Sequence, residues 1–177
     1  MTEAPQVVEK NLMEQVKIDK VIVHICVGGN WERLQKAVRL LEQLTGQKPV
    51  IRKAKKTIKA FGISRKQPIS AMVTLRKERA INFLRKALEA IDNKIKASSF
   101  DEHGNFAFGI KEHLAIPGVK YDPEIGIFGM DIIVSLCKPG VRVKYRRYNR
   151  TKVGKRGRVT KEEAINFIKE MFNVEVV

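Results

Sequence analysis

Val16 to Gly46 reads VKIDKVIVHICVGGNWERLQKAVRLLEQLTG. Up to Val27 it is rich in β-branched side chains and it then meets Gly28-Gly29, which predicts a strand ending in a turn. From Trp31 to Leu44 the periodicity changes. Leu34, Val38, Leu41 and Leu44 fall at helical spacing, and Gly46 ends the helix. A strand–Gly-Gly–helix outline is shared with phosphate-binding turns. This one lacks both the third glycine of GxGxxG and the GK[ST] of a phosphate loop, so it reads as a plain β–α turn.

Working outward, Pro49 to Lys59 reads as a strand with Val50, Ala54 and Ile58 on one side and Lys53, Lys55, Thr57 and Lys59 on the other. A loop from Phe61 to Pro68 leads into a third strand, ISAMVTLR. Next comes the helical pattern KERAINFLRKALEAID, with Ile81, Leu84, Leu88 and Ile91 on one face. HGNFAFGI and MDIIVSL are further strands, while Pro117 to Gly129 carries too many breakers to be regular. Lys138-Pro139-Gly140 turns the chain. Thr160 and Glu163 form a capping-box pattern before AINFIKEMF. Strands and helices alternate without the regular crossovers of a doubly wound fold. The expected class is α+β, a mainly antiparallel sheet with helices on one face and the other face open. Residues 1–177 are expected to form a single domain with a basic hairpin or arm at about 138–158, and no internal repeat is seen.

The 177 residues carry a formal net charge of +16, from 35 Lys and Arg against 19 Asp and Glu, with 44% hydrophobic content. That is a folded protein with a polyanionic partner, not a disordered basic tail. Cys26 and Cys137 are too few and too far apart for a disulfide framework or a CxxC metal site. His24 and Cys26 share a strand face but have no second ligand pair, and no metal or other cofactor is expected. No hydrophobic run approaches the ~20 residues of a membrane span. MTEAPQVVEKNL lacks a signal-peptide apolar block, so a cytosolic, membrane-free protein is expected.

Enzyme signatures are soon exhausted. Asp101, Glu102 and His103 precede a glycine and look like a solvated turn, Asp122 and Glu124 flank a proline as turn acids, and no nucleophile stands with a poised base. The basic segments are more informative. Lys55 to Pro68, KKTIKAFGISRKQP, has five cations among fourteen residues and no acid. Arg142 to Arg158, RVKYRRYNRTKVGKRGR, has nine among seventeen and again no acid. In Val141 to Tyr148, VRVKYRRY, the residues Val141, Val143 and Tyr145 alternate with Arg142, Lys144 and Arg146. This predicts a strand with its cations turned outward, followed by a mobile arm that orders on phosphates. No helix shows the basic face of a major-groove reader. Cations on strands and loops, with Phe61, Tyr145 and Tyr148 among them, suit RNA better than duplex DNA.

Three stretches, LTGQKPVIRKAKKTIKAFGISRKQPISAMVTLR, ASSFDEHGNFAFGIKEH and YDPEIGIFGMDI, closely resemble the universal large-subunit ribosomal protein five. The resemblance runs from about Val16 to the C-terminus. GVKYDPEIGIFGMD and the basic extension after CKPG look like the archaeal form.

That resemblance implies a non-enzymatic protein of the cytoplasmic large subunit, which binds 5S rRNA and attaches it to a 23S rRNA helix in the central protuberance. Its partners would include neighbouring ribosomal proteins of the 5S particle and a small-subunit bridge protein. By the same resemblance Gln47 and Thr74 contact 5S rRNA, and so does the first-strand position held here by His24 where the family has Asn. Lys53, Lys55, Lys56 and Lys59 would join them. The loop Gly62, Ile63, Ser64, Arg65, Lys66 and Gln67 would face P-site tRNA, and Arg142, Lys144, Arg146, Arg147 and Arg150 would lie on rRNA backbone. The sequence departs from the family at Cys26, a Gly there, and at Ser70 of QPIS, where the usual wording is PIG. Cys26 forgoes the close backbone approach that glycine permits. Two rival readings are a free-standing RNA chaperone, which would not co-sediment with large subunits, and a nucleotide-dependent enzyme, which would bind a mononucleotide saturably.

Overall fold

The structure is a computed structural model, and it describes residues 11–177. The N-terminal segment read as lacking a signal block falls largely outside these residues. Strand β1, Lys17–Cys26, is followed by helix α1, Trp31–Thr45. Asn30 caps α1 by accepting the Arg33 N–H at 3.1 Å. At the other end Gly46, at φ 61°, gives its N–H to the Glu42 carbonyl. Strands β2, Val50–Lys53, and β3, Pro68–Leu75, precede helix α2, Lys77–Glu89. A two-residue strand β4, Lys94–Ile95, leads to β5, Phe106–Ile110, and β6, Met130–Cys137. Helix α3, Lys161–Phe172, and β7, Glu175–Val176, finish the chain.

Five strands make one antiparallel sheet in the order β2-β3-β1-β6-β5, which bears out the α+β expectation. Register explains which side chains are buried. Val21, Val23 and Ile25 stand opposite Leu75, Val73 and Ala71, and Val21 and Val23 also stand opposite Val134 and Ile132. All of them are buried, on one face. α1 packs on β3 and α2 on β1, and their buried stripes (Leu34, Ala37, Leu40 and Leu41; Ala80, Phe83, Leu84, Ala87 and Leu88) share one core with that face. The intervening residues of the same strands turn the other way.

The sequence reading needs two corrections. First, the strand expected over 49–59 ends at Lys53. The β2–β3 register shifts at Arg52/Lys53, where Lys53 comes opposite Pro68. Proline has no N–H to extend the ladder, so the chain leaves the regular sheet there. Ala54 is buried, but Val50 and Ile58 are exposed, so the expected apolar side is not a buried face. Second, Val141–Lys144 is a short 3-10 turn, not a strand. Gly140 at φ 88° swings the chain round, and the N–H groups of Tyr145 and Arg146 both bond the Arg142 carbonyl. With no neighbouring strand to supply a ladder, local bonds satisfy the backbone instead. Tyr145, expected against protein, is 64% exposed.

The remaining elements match their signals. Thr160 and Glu163 make both bonds of the capping box at the start of α3. The irregular stretch after Pro117 carries no strand or α-helix. The parallel pairing of β4 with β7, Lys94 to Glu175 and Ile95 to Val176, is too short to leave a periodic signal.

Candidate nucleic-acid interface

The face of the sheet turned away from α1 and α2 is built row by row from the strand register. One row runs Val50, Met72, His24, Asp131, Gly109 and the next Thr74, Ile22, Ile133, Ala107. Beyond the first row lie Arg52, Ser70 and Cys26, and beyond the second Lys20 and Ser135. Ser70 is buried, whereas Cys26, Asp131, Ala107 and Gly109 are exposed. The middle of this face is thus nearly neutral and shallow, and cations stand at both ends of it.

At the Ser70 end, β2 runs into Lys53, Lys55, Lys56 and Lys59. The last of these begins a 3-10 turn, Lys59–Phe61, on which Phe61 is 75% exposed. Gly62 to Gln67 is a bonded structure. Ile58 and Ile63 exchange backbone bonds at 2.8 and 3.2 Å, and Arg65 N–H reaches Thr57 Oγ1 at 3.0 Å. Gln67 differs from its neighbours. Its Oε1 accepts the Ser64 N–H at 2.8 Å, its backbone carbonyl accepts the Ala54 N–H at 2.8 Å, and a Cβ on Gly29 would fall 2.7 Å from its Nε2. Gln67 thus fastens the loop to itself and to Ala54, and its amide end lies beside Gly29 of the β1–α1 turn. Arg65 and Lys66, at the tip, are exposed.

At the opposite end, Gln47 and Thr74 come together. The Gln47 side-chain amide donates to the Thr74 backbone carbonyl at 3.3 Å, and an open cleft beside them is lined by Arg76, Lys77 and Arg79. Arg76 is held by Asp19 at 2.7 Å. His24 lies on the same face but in the neighbouring row, with Nδ1 3.7 Å from Asp131 Oδ2. The sequence reading did not single out Asp131. Its signal was the MDIIVSL alternation, which places Asp131, Ile133 and Ser135 on the face opposite the core.

The basic loop closes the same end. Thr151 N–H reaches the Val143 carbonyl at 3.3 Å and Arg146 Nε the Asn149 carbonyl at 2.8 Å, so Arg142, Lys144, Arg146, Arg147 and Arg150 ride on a chain folded back on itself. All five are exposed, and among the described residues none has a carboxylate within 4.0 Å. Arg147 lies over the ring of Tyr148 at 5.4 Å.

Lys138, at the root of this loop, was read only as part of a turn. It is 6% exposed, and its Nζ lies 2.7 Å from Glu163 Oε1. Burial would raise the Glu163 carboxyl, but the bonds from Lys138 and Thr160 outweigh it and hold the group below its ordinary 4.5. The acids read as turn residues behave as such. Asp101 accepts N–H bonds from His103 and Asn105, and Asp122 accepts one from Glu124. His113, also unremarked in the sequence, is buried with Nδ1 accepting the Phe128 N–H at 3.3 Å. Among the described residues no group of three or more His, Cys, Asp and Glu side chains gathers to hold a metal, and no helix is long and apolar enough to cross a membrane.

Comparison with known proteins matches the pattern of the family described as Ribosomal protein L5 to residues 11–64, and that of the ribosomal L5P family C-terminus to residues 68–167. The chain is 55% identical to the large ribosomal subunit protein uL5 of Pyrobaculum aerophilum, over 93% of this chain and 92% of that protein. It is 51% identical to the uL5 protein of Sulfolobus acidocaldarius over 96% of this chain and 95% of that one. Against the uL5 protein of Methanosphaera stadtmanae the identity is 49%, over 94% and 99%.

Proposed function

The chain belongs to the ribosomal protein L5 family, a family of structural, non-enzymatic ribosomal proteins, and from that premise we propose that it binds 5S rRNA and attaches it to 23S rRNA in the central protuberance of the cytoplasmic large subunit. The observation that carries this reading is the layout of the open face: a nearly neutral centre, with Asp131 its one carboxylate, and at its two ends the cations Lys53, Lys55, Lys56 and Lys59 and the basic loop from Arg142 to Arg150, none of which has a carboxylate within 4.0 Å among the described residues. Cations neutralise phosphates wherever a backbone passes, while polar side chains in a shallow face set register on one RNA. Thr74, with Gln47 bonded to its carbonyl, supplies such groups, and His24 adds a donor and acceptor one row away.

The two ends have different partners in this reading. Lys53, Lys55, Lys56 and Lys59 follow 5S rRNA beyond the sheet edge, and the exposed tip Arg65-Lys66 beyond them faces P-site tRNA. Arg142, Lys144, Arg146, Arg147 and Arg150 lie on rRNA backbone. Neighbouring proteins of the 5S particle and a small-subunit bridge protein complete the surroundings. The whole chain acts as one domain, because β1 and β2 from the first family segment interleave with β3, β5 and β6 from the second in a single sheet.

The test is affinity for 5S rRNA against an unrelated structured RNA of equal length. Thr74→Val keeps the shape and removes the hydroxyl. It is expected to weaken 5S binding by about 1–3 kcal/mol while leaving the unrelated RNA nearly unchanged. Equal losses on both RNAs would place Thr74 in the fold and not in recognition.

A further inference from the structure

Between the basic loop and the ends of β1 and β6 lies an open groove of about 800 Å³. Its lining includes Ser135 and Asn105, Tyr145, and the cations Lys144, Arg150 and Lys152. We propose that this groove holds one unstacked nucleotide of an RNA strand, its base against Tyr145 and its phosphate among the cations. The proposal rests on the RNA-binding reading above and deepens it where Lys144 and Arg150 meet rRNA, adding a seat for a base at Tyr145.

Three features define the ligand. The volume falls in the range of pockets that enclose small organic ligands, about 300–1,000 Å³, and so admits a nucleotide but not a length of duplex. Among the described residues, none of Lys144, Arg150 and Lys152 has a carboxylate within 4.0 Å, and the lining acid Asp19 is already engaged by Arg76 at 2.7 Å. Several unpaired cations around one concavity repel each other until an anion enters. Finally, the groove is not only a phosphate seat. Tyr145 is 64% exposed, and although the Lys144 ammonium stands over its ring at 5.7 Å, aromatic surface remains for a base.

The Ser135 side supplies polar recognition. Ser135 Oγ lies 2.9 Å from Asn105 Oδ1, and the Asn105 amide nitrogen lies 2.8 Å from Asp101 Oδ2. Since Asn105 Oδ1 and the Asp101 carboxylate can only accept, the Ser135 hydroxyl proton is committed to Asn105. Its oxygen therefore presents lone pairs to the groove. A base N–H or a ribose 2′-OH can donate to it, whereas a phosphate oxygen cannot.

The full chain is titrated with a fluorescent single-stranded RNA hexanucleotide and with a blunt RNA duplex of equal phosphate number. Tyr145→Ala is expected to weaken hexanucleotide binding about five- to tenfold and to leave duplex binding within about twofold. Tyr145→Phe should restore it, because stacking requires the ring and not the hydroxyl. Parallel losses on both RNAs, or no loss on either, overturn the proposal. So does displacement of the hexanucleotide by polyglutamate as readily as by unlabelled RNA, which would make the groove an acidic-peptide site. Competition by AMP as strong as by the hexanucleotide would assign it to free nucleotides and overturn it equally. Wild-type affinity for 5S rRNA is measured separately. If that is absent while the Tyr145 effect holds, the 5S reading fails and the groove stands; the converse sinks the groove alone.

Discussion

Lys138 Nζ stands 2.7 Å from Oε1 of Glu163, and the other oxygen of the same carboxylate accepts the Thr160 N–H at 3.1 Å. One side chain on α3 thereby fastens both ends of the basic loop. Lys138 is nearly buried, so removal of its partner leaves a charge with neither water nor counter-ion. Glu163→Ala is expected to lower stability by about 2–3 kcal/mol, read as a lower denaturant midpoint at unchanged slope. The carboxyl is depressed in the folded state. Its contribution is therefore present above pH 4.5 and lost as pH falls through the folded value, and Glu163→Gln should flatten that acid limb. An unchanged limb in the variant would show that other carboxylates set it.

Asp131 places a negative charge in the middle of the proposed RNA face, 67% exposed and 3.7 Å from His24. Such a charge discourages any phosphate that takes the wrong path across the sheet. Asp131→Asn is expected to raise affinity for unrelated RNA about two- to fivefold and to narrow the preference for 5S rRNA, measured by competition binding at fixed salt. A uniform gain on both RNAs would leave Asp131 without a role in discrimination.

The loop Gly62 to Gln67, proposed above to face tRNA, divides into a latch and a tip. Gln67 bonds Ser64 and packs on Gly29, so Gln67→Ala should reduce thermal stability, by about 1 kcal/mol for one such hydrogen bond. Arg65 and Lys66 are exposed at the tip. Changing both to Ala should leave stability and 5S affinity nearly unchanged, and large subunits carrying the change should retain P-site tRNA less well. Loss of 5S binding in the double variant would make the tip an rRNA anchor.

Much of this was legible in the sequence, for reasons that differ by segment. β1 and α1 could be read because their periodicities change cleanly at Gly28-Gly29, and the Thr160/Glu163 pair announced α3 because a capping box is local chemistry. The alternation at Val141 to Tyr145 misled, since period two specifies a strand only where another strand offers a ladder. Gln67 was read by its charged neighbours, and its contact with Gly29 joins residues that only the folded sheet brings together. Lys138 was legible only as the first residue of a Lys-Pro-Gly turn. Its burial depends on Glu163, twenty-five residues away in sequence.

The central claim is that cations at the two ends of a nearly neutral sheet face hold one particular RNA. The most direct measurement is the affinity of the full chain for 5S rRNA across a salt series, beside an unrelated RNA of equal length. With roughly five to eight phosphate contacts, the expected log–log slope for 5S rRNA is about −4 to −7. Preference for 5S rRNA should persist at the salt where unrelated RNA no longer binds, because the register-setting contacts are not screened as free charges are. A slope near zero, or equal affinities for the two RNAs at every salt concentration, would contradict the claim.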